Sequence, residues 1–309
     1  MSCLTEALYS HLEPHGLKAR AVSIARLDDL RREIHDRHAR GEFDQGFFQT
    51  RLEWFSFTPP DDLPGAASLI VVAKPRPQHQ AHFTWNGKTV SLIIPPTYVH
   101  YEAVRQEIAD LLSEWLAPQA YHVARSRLPV KALAVRSGLA EYGRNNITYV
   151  PGMGSFHQLV AFFSDLPCPE DAWREPQMMD RCEKCHACRR ACPTGAIPSD
   201  RFLLHAERCI TFLNELPAGV PFPGWLNPAW HNCLVGCMHC QRACPETIPF
   251  LGWIEGGEDF SHDETALLLA GVTGDQLPPA THAKLERLDL LDSLDTLPRN
   301  LGVFFPLSP

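Results

Sequence analysis

The 309-residue chain has no run of about 18 or more apolar residues, so a membrane-spanning helix is not expected. Its first residues, MSCLTEALYSHLEPHGL, lack a basic segment followed by an apolar one. No signal peptide is therefore expected, and the expected location is cytoplasmic. A basic excess is also missing: 28 Lys and Arg stand against 36 Asp and Glu, a net charge of −8. Broad nucleic-acid binding needs a positive footprint, and this balance argues against it. No G-x-G-x-x-G follows a strand-like run and no G-x4-G-K-[ST] occurs, so the common dinucleotide and phosphate cradles are absent. No Ser or Cys nucleophile motif stands out. Low-complexity segments are missing too. With 45% hydrophobic and 21% charged residues, the composition is that of a globular protein rather than a disordered one.

What the chain does have is cysteine. Eleven are present, and nine of them fall from Cys182 to Cys244. In a cytoplasmic chain such cysteines are expected to be metal ligands rather than disulfide partners. The first motif is Cys182-x2-Cys185-x2-Cys188-x3-Cys192-Pro193. The second is Cys237-x2-Cys240-x3-Cys244-Pro245, with Cys209 upstream as its missing member. A cubane cluster needs four thiolates at tetrahedral corners, and three cysteines at every third residue wrap three irons with one tight turn of chain. The fourth, before proline, is carried to the other cluster. Cluster one is then Cys182, Cys185, Cys188 and Cys244, and cluster two is Cys192, Cys209, Cys237 and Cys240. Zinc would suit two separate Cys-x2-Cys pairs, but it does not account for two Cys-x2-Cys-x3-Cys-Pro endings.

Several neighbours have plainer readings. Cys233, four residues before Cys237, competes with Cys209 as a ligand; its other role is a small buried residue beside the cluster. Cys3 and Cys168 have no cysteine at ligand spacing and read as structural. His186 and His239 sit inside the cysteine loops, where eight thiolates already suffice, so they read as surface residues or donors to cluster sulfur. Arg181, Lys184, Arg189, Arg190 and Arg242 would favour the reduced state of a negatively charged cubane, but also read as solvated charges.

Outside the cysteines, residues 4 to 40 read as helical, broken at Pro14-His15-Gly16. SLIVVA (68–73) reads as a buried strand. His82 to Ile94 reads as a hairpin about Asn86-Gly87. Tyr101, Val104, Ile108, Leu111 and Trp115 fall on one face of a helix, most simply a core face. Residues 129 to 140 predict a short helix, Gln158 to Phe163 a strand, and the tail from about 262 helices. The expected class is α+β, with residues 1–166 a mixed α/β domain, 167–250 a double-cluster ferredoxin-like domain and 251–309 a helical tail.

The runs RCEKCHACRRACPTGAI, ERCITFLNEL and VGCMHCQRACPETIPF resemble the cluster region of the epoxyqueuosine reductases. These are cobalamin-dependent iron–sulfur enzymes related to reductive dehalogenases. VKALAVRSGLAEYGRNNITYVPGMGSFHQLVAFFSDL resembles the family segment before the clusters, and VHYEAVRQEIADLL a family helix. The likeness covers roughly residues 60 to 250. It implies a corrinoid held in the N-terminal domain and reduced through the clusters. The matching corrinoid-side positions are Gly138, Tyr142, Gly143, Arg144, Asn145 and Asn146. Glycine would let the backbone approach a flat macrocycle, and Asn and Arg would bond its amides; a purely structural turn is the alternative.

The sequence departs from the family in three places. The family's aspartate proton donor should precede the Lys-Ala-Leu-Ala helix, yet no acid occurs from Tyr121 through Ala134, and Ala124 or Arg125 falls near its position. Ala140 replaces a loop glycine. The tail is short for the helical-repeat domain that many relatives use on tRNA, so a tRNA substrate is not expected. Another proton donor is then required, and Tyr98, His100, Tyr101 and Tyr142 are candidates, although each also suits a structural place. The expected function is an oxidoreductase passing electrons from an external ferredoxin- or flavodoxin-type donor, through two [4Fe–4S] clusters, to a corrinoid and a small substrate. The alternative is a non-catalytic electron-transfer protein that reduces a partner.

Overall fold

The computed structural model describes residues 4–305, so Cys3 lies outside the described residues. In chain order the elements begin with α1 (Leu4–Leu12), β1 (Lys18–Ser23), α2 (Arg26–Ala39), α3 (Gln45–Arg51) and β2 (Ser68–Pro75). Next come β3 (Gln78–Trp85), β4 (Lys88–Ile94), α4 (Tyr101–Leu116), β5 (Val123–Arg125) and α5 (Val130–Arg136). The short strands β6 (Glu141–Tyr142) and β7 (Thr148–Tyr149) precede β8 (His157–Ser164). The cysteine region holds short helices, α6 (Ala187–Ala191), α7 (Ile210–Asn214) and α8 (His239–Arg242). After it come β9 (Ile254–Phe260), α9 (His262–Ala270), α10 (Pro279–Arg287) and α11 (Leu297–Gly302).

These elements form two compact units. The first takes the chain up to Arg76, Tyr101–His186 and Ser199–Leu203; the second takes Pro77–His100, Ala187–Pro198 and the chain from Leu204. The units interleave along the sequence, so they do not follow the boundaries 1–166, 167–250 and 251–309. The hairpin of β3 and β4 goes with the C-terminal residues because β3 pairs in parallel with β9.

The first unit is built on an antiparallel sheet of order β1-β2-β8-β5. Side chains alternate across it with period two. Leu69, Val71, Leu159, Ala161 and Phe163 pack on one face with Leu27, Leu30 and Leu133 of α2 and α5. Ile70, Val72, Val160 and Phe162 pack on the other with Leu8, Val104 and Ile108 of α1 and α4. Both faces are covered, which is why β2 reads as an unbroken apolar run although its neighbours are antiparallel. The helix over α4 forms as expected, but its most buried stripe is Val104, Ile108, Leu112 and Leu116, with Tyr101, Leu111 and Trp115 at its margin. The helical reading of residues 4–40 is corrected by β1. Its small residues, Ala19 and Ala21, carry little strand signal, and its pairing with β2 decides the conformation.

In the second unit, Asn86 and Gly87 both take positive φ, 48° and 76°, as a two-residue hairpin turn requires. β4, β3 and β9 form the sheet. Its core joins Phe83, Ile94 and Phe260 to Leu268, Leu285, Leu297 and Leu301 of α9, α10 and α11. The tail is therefore helical only from 262. Residues 254–260 are a strand, hidden in the sequence because IEGGEDF is acidic, Gly-rich and mostly exposed. A capping box between Ser261 and Glu264 starts α9, and Gly271 at φ 73° ends it.

Candidate metal centre

No disulfide joins any described cysteine. Cys182 and Cys185 lie in the first unit; Cys188, Cys192, Cys209, Cys233, Cys237, Cys240 and Cys244 lie in the second. There α6 packs on α8, setting the segment of Cys188 beside that of Cys240. Cys192, Cys209 and Cys233 all lie within electrostatic reach of Cys237. The fold thus brings Cys192 and Cys209, well separated in sequence, near Cys237, together with Cys233.

The local chain prepares these sulfurs for negative charge. Cys209 is the extended residue before α7. The main-chain N–H groups of Thr211 and Phe212 and the Thr211 hydroxyl lie near its sulfur. Burial pushes the Cys209 thiol up, and these donors pull it back down. Cys237 accepts from the N–H of His239; burial, then the neighbouring cysteines, push its thiol up. Such thiols give up their protons to a metal, and binding is coupled to proton release. Gly236, at φ 67°, makes the turn into Cys237, and an added Cβ there would lie 2.8 Å from the Tyr98 ring.

Cys233 is 1% exposed and accepts from the N–H of Met238. Burial pushes its thiol up to about 12, with Arg242 opposing. Cys168 lies in the core of the first unit and donates to the carbonyl of Glu170 at 3.4 Å. His239 bonds the carbonyl of Trp230 at 2.9 Å through Nε2, while His186 is half-buried. Arg181, Lys184, Arg190 and Arg242 are exposed, and Arg189 is half-buried.

The loop after α5 is held tightly by its own side chains. Gly138 takes φ 79° and ends the helix. An added Cβ on Gly143 would fall 2.5 Å from Asn145 Oδ1 and 2.5 Å from Tyr149 Cε2. Asn145 is buried, donating to the Tyr149 hydroxyl at 3.0 Å and accepting from the N–H of Ile147 at 3.2 Å. Asn146, at φ 56°, donates to the carbonyl of Phe202 at 2.8 Å. Arg144 donates to the carbonyl of Cys185 at 3.2 Å and to those of Cys182 and Glu183. The side chains at 144–146 thus hold the protein itself together.

The proposed proton donors do not form one group. Tyr101 packs with Val104 and Phe162 and donates to the carbonyl of Leu159 at 3.1 Å, whereas Tyr142 packs on the opposite face of the sheet. Burial, then Glu33, push the Tyr142 phenol up. Tyr98 donates to Glu215 in the second unit, and burial, then that carboxylate, push its phenol well up. His100, at φ 59°, gives its main-chain N–H to Asp289 at 2.8 Å, and its ring meets His79 edge-on. Near the expected acid, Ala124 is buried and Arg125 donates to Gln106 at 2.8 Å.

Sequence inspection passes over Asn214 and Asn300, each 1% exposed. Their only signal is an amide inside the apolar stretches ITFLN and LPRNLG.

Residues 181–247 match the family model of the 4Fe-4S double cluster binding domain. An epoxyqueuosine reductase of Pseudomonas aeruginosa is 33% identical over 144 residues, 45% of this chain and 38% of that protein. The chain thus spans about two-fifths of the length of that relative. A crystal structure of a selenomethionine-labelled epoxyqueuosine reductase superposes with a TM-score of 0.67 at 21% identity, over 97% of this chain and 80% of the other. A second, an epoxyqueuosine reductase with an epoxyqueuosine-modified tRNA-Tyr stem loop, gives 0.65 at 21% identity over the same shares. Likeness at that identity shows a shared fold. The cysteine region is a double [4Fe–4S] domain, and the chain resembles the epoxyqueuosine reductases in sequence and shares their α+β fold.

Proposed function

We propose that this chain is an iron–sulfur oxidoreductase that takes electrons from an external ferredoxin- or flavodoxin-type donor and passes them through two [4Fe–4S] clusters to a corrinoid and a small-molecule substrate. The observation that carries the reading is the double-cluster motif, together with the convergence of Cys192, Cys209 and Cys237 in one unit. By spacing, cluster one takes Cys182, Cys185, Cys188 and Cys244, and cluster two takes Cys192, Cys209, Cys237 and Cys240. Cys209 lies within electrostatic reach of both Cys192 and Cys237, which favours it over Cys233.

The corrinoid part rests on the family resemblance of residues 130–166 and on the shared fold. Bound cobalamin supplies a cobalt centre that acts, once reduced, as a strong nucleophile or reductant. Of the matching positions only Gly138 is left to approach it, because the main-chain N–H groups of Tyr142 and Gly143 donate to the carbonyls of Gln177 (2.9 Å) and Ile147 (2.8 Å). The side chains of Arg144, Asn145 and Asn146 serve the loop instead.

A second reading, an electron-transfer protein that reduces a separate partner, is favoured by one observation. The stretch from Tyr121 through Ala134 has no carboxylic acid. A tRNA substrate is not proposed: the chain has a net charge of −8, and the stem loop belongs to the other protein's structure. No helix among the described residues is long and apolar enough to cross a membrane, and we place the protein in the cytoplasm.

Anaerobic purification with iron and cobalt quantified, followed by EPR with and without cobalamin, tests these readings. About eight irons per chain and stoichiometric cobalt are expected. Eight irons without cobalt would leave the electron-transfer reading. Zinc, or fewer than about four irons, would overturn both.

A further inference from the structure

Helix α7 follows Cys209 directly and ends on Arg299. It is five residues long, too short to hold its shape alone, and its last carbonyls have no partners within the helix. Arg299 of α11 supplies those partners. Its guanidinium donates to the carbonyls of Leu213 (3.3 Å), Asn214 (3.0 Å), Leu216 (3.0 Å), Pro217 (3.1 Å) and Val220 (2.7 Å). It also lies over the Phe222 ring at 4.6 Å. A planar fork of five N–H donors can do this, and a lysine ammonium cannot.

The next residue, Asn300, is 1% exposed and spends its amide on two segments, the carbonyls of Asn214 (2.9 Å) and Leu234 (3.1 Å). Asn214 in turn donates to the carbonyl of Gly236 at 2.9 Å. Gly236 leads directly into Cys237. The buried amides thus join the end of the helix that begins at Cys209 to the turn that presents Cys237. Burying two amides in an apolar core carries a cost, offset here by N–H groups that donate across the segments that carry the sulfurs, while Asn214 Oδ1 has no partner among the described residues.

We propose that Arg299, Asn300 and Asn214 are positioning residues for cluster two, and that α11 is part of the scaffold that sets the cluster's redox potential. This rests on the assignment of Cys209 and Cys237 to that cluster. Hydrogen bonds to cluster sulfur tune the potential, and the N–H groups that lie near Cys209, those of Thr211 and Phe212, belong to the helix that Arg299 fixes.

The test uses the full chain, reconstituted anaerobically, with EPR-monitored redox titration of the wild type, Arg299→Lys and Asn300→Leu. Cys209→Ser identifies which signal is cluster two. Both positioning variants are expected to move the midpoint of that signal and leave the other where it was. A ferrous chelator should strip the affected cluster about 10- to 100-fold faster than in the wild type. Circular dichroism establishes that each variant is folded, and if Asn300→Leu is not, Arg299→Lys decides alone. A folded variant with both midpoints unmoved, or with both moved equally, overturns the proposal. A wild type that holds zinc or a single cluster overturns the cluster-two reading beneath it, and is distinguished by its metal content alone.

Discussion

Arg144, in the turn after β6, donates to the main-chain carbonyl of Cys185 at 3.2 Å, and its second terminal nitrogen reaches the carbonyls of Cys182 and Glu183. The stretch that resembles a cofactor loop in the epoxyqueuosine reductases is here also the brace of the first cysteine turn. Arg144→Ala leaves those carbonyls without their charged donor. A loss of about 2 kcal/mol is expected, the scale of one charge-assisted bond at a half-buried site. Denaturant unfolding measures the loss, and iron analysis should show slower filling of the first cluster. Unchanged stability and filling would mean that the turn holds itself.

The cysteine assignment predicts a contrast. Cys209→Ser should lower bound iron, because it removes a sulfur within electrostatic reach of both Cys192 and Cys237. Cys233→Ser should keep about eight irons per chain, because its sulfur is a buried packing group. Iron quantification on the two variants decides this, and the reverse pattern would exchange the two residues' roles.

Two glycines are expected to resist alanine for different reasons. At Gly143 the obstacle is crowding by Asn145 and Tyr149, each 2.5 Å from an added Cβ. At Gly236 a positive φ adds to the 2.8 Å approach of Tyr98. Gly143→Ala should cost about 1–3 kcal/mol through overpacking, and Gly236→Ala should also disturb cluster two. Melting temperatures, read with the iron content, separate the two effects.

Acid should weaken the first unit partly through His157. Its ring is buried, Nδ1 bonds the carbonyl of Gly154 at 3.1 Å, and Nε2 meets the Thr148 hydroxyl at 3.1 Å. Burial lowers its pKa from 6.5 to about 4, so between these values the unfolded chain binds the proton and the folded one does not. Stability from this residue is therefore full above about pH 6.5 and is lost as the pH falls toward 4, by about 3 kcal/mol at most. His157→Gln should flatten that part of the pH–stability curve. An unchanged slope would show that other groups dominate it.

The double-cluster domain was legible because the Cys-x2-Cys-x3-Cys-Pro spacing belongs to the chain itself, whereas the choice between Cys209 and Cys233 does not follow from spacing. The hairpin at Asn86-Gly87 and the strand SLIVVA were legible because turn chemistry and burial on both faces act locally. β1 and β9 were not, since Ala19, Ala21 and the glycines of IEGGEDF carry almost no strand preference and take their conformation from β2 and β3. The roles of Arg144 and Arg299 were hidden for the same kind of reason. Their partners are main-chain carbonyls, and every residue supplies one, so no motif marks them. The candidate donors Tyr101 and Tyr142 looked alike in sequence and were separated by a sheet whose two faces no local pattern could tell apart.

The parallel register of β3 with β9 links Gln78 to Ile254 and Phe83 to Phe260. Every cysteine of the two motifs lies in the interval between those strands. During synthesis the sheet of the second unit cannot close until Phe260 has emerged, 16 residues after the last of these cysteines and 78 after the first. The cysteine segments are thus all made before the strand that closes the sheet they connect, and the carboxyl-terminal strand is the piece that completes it.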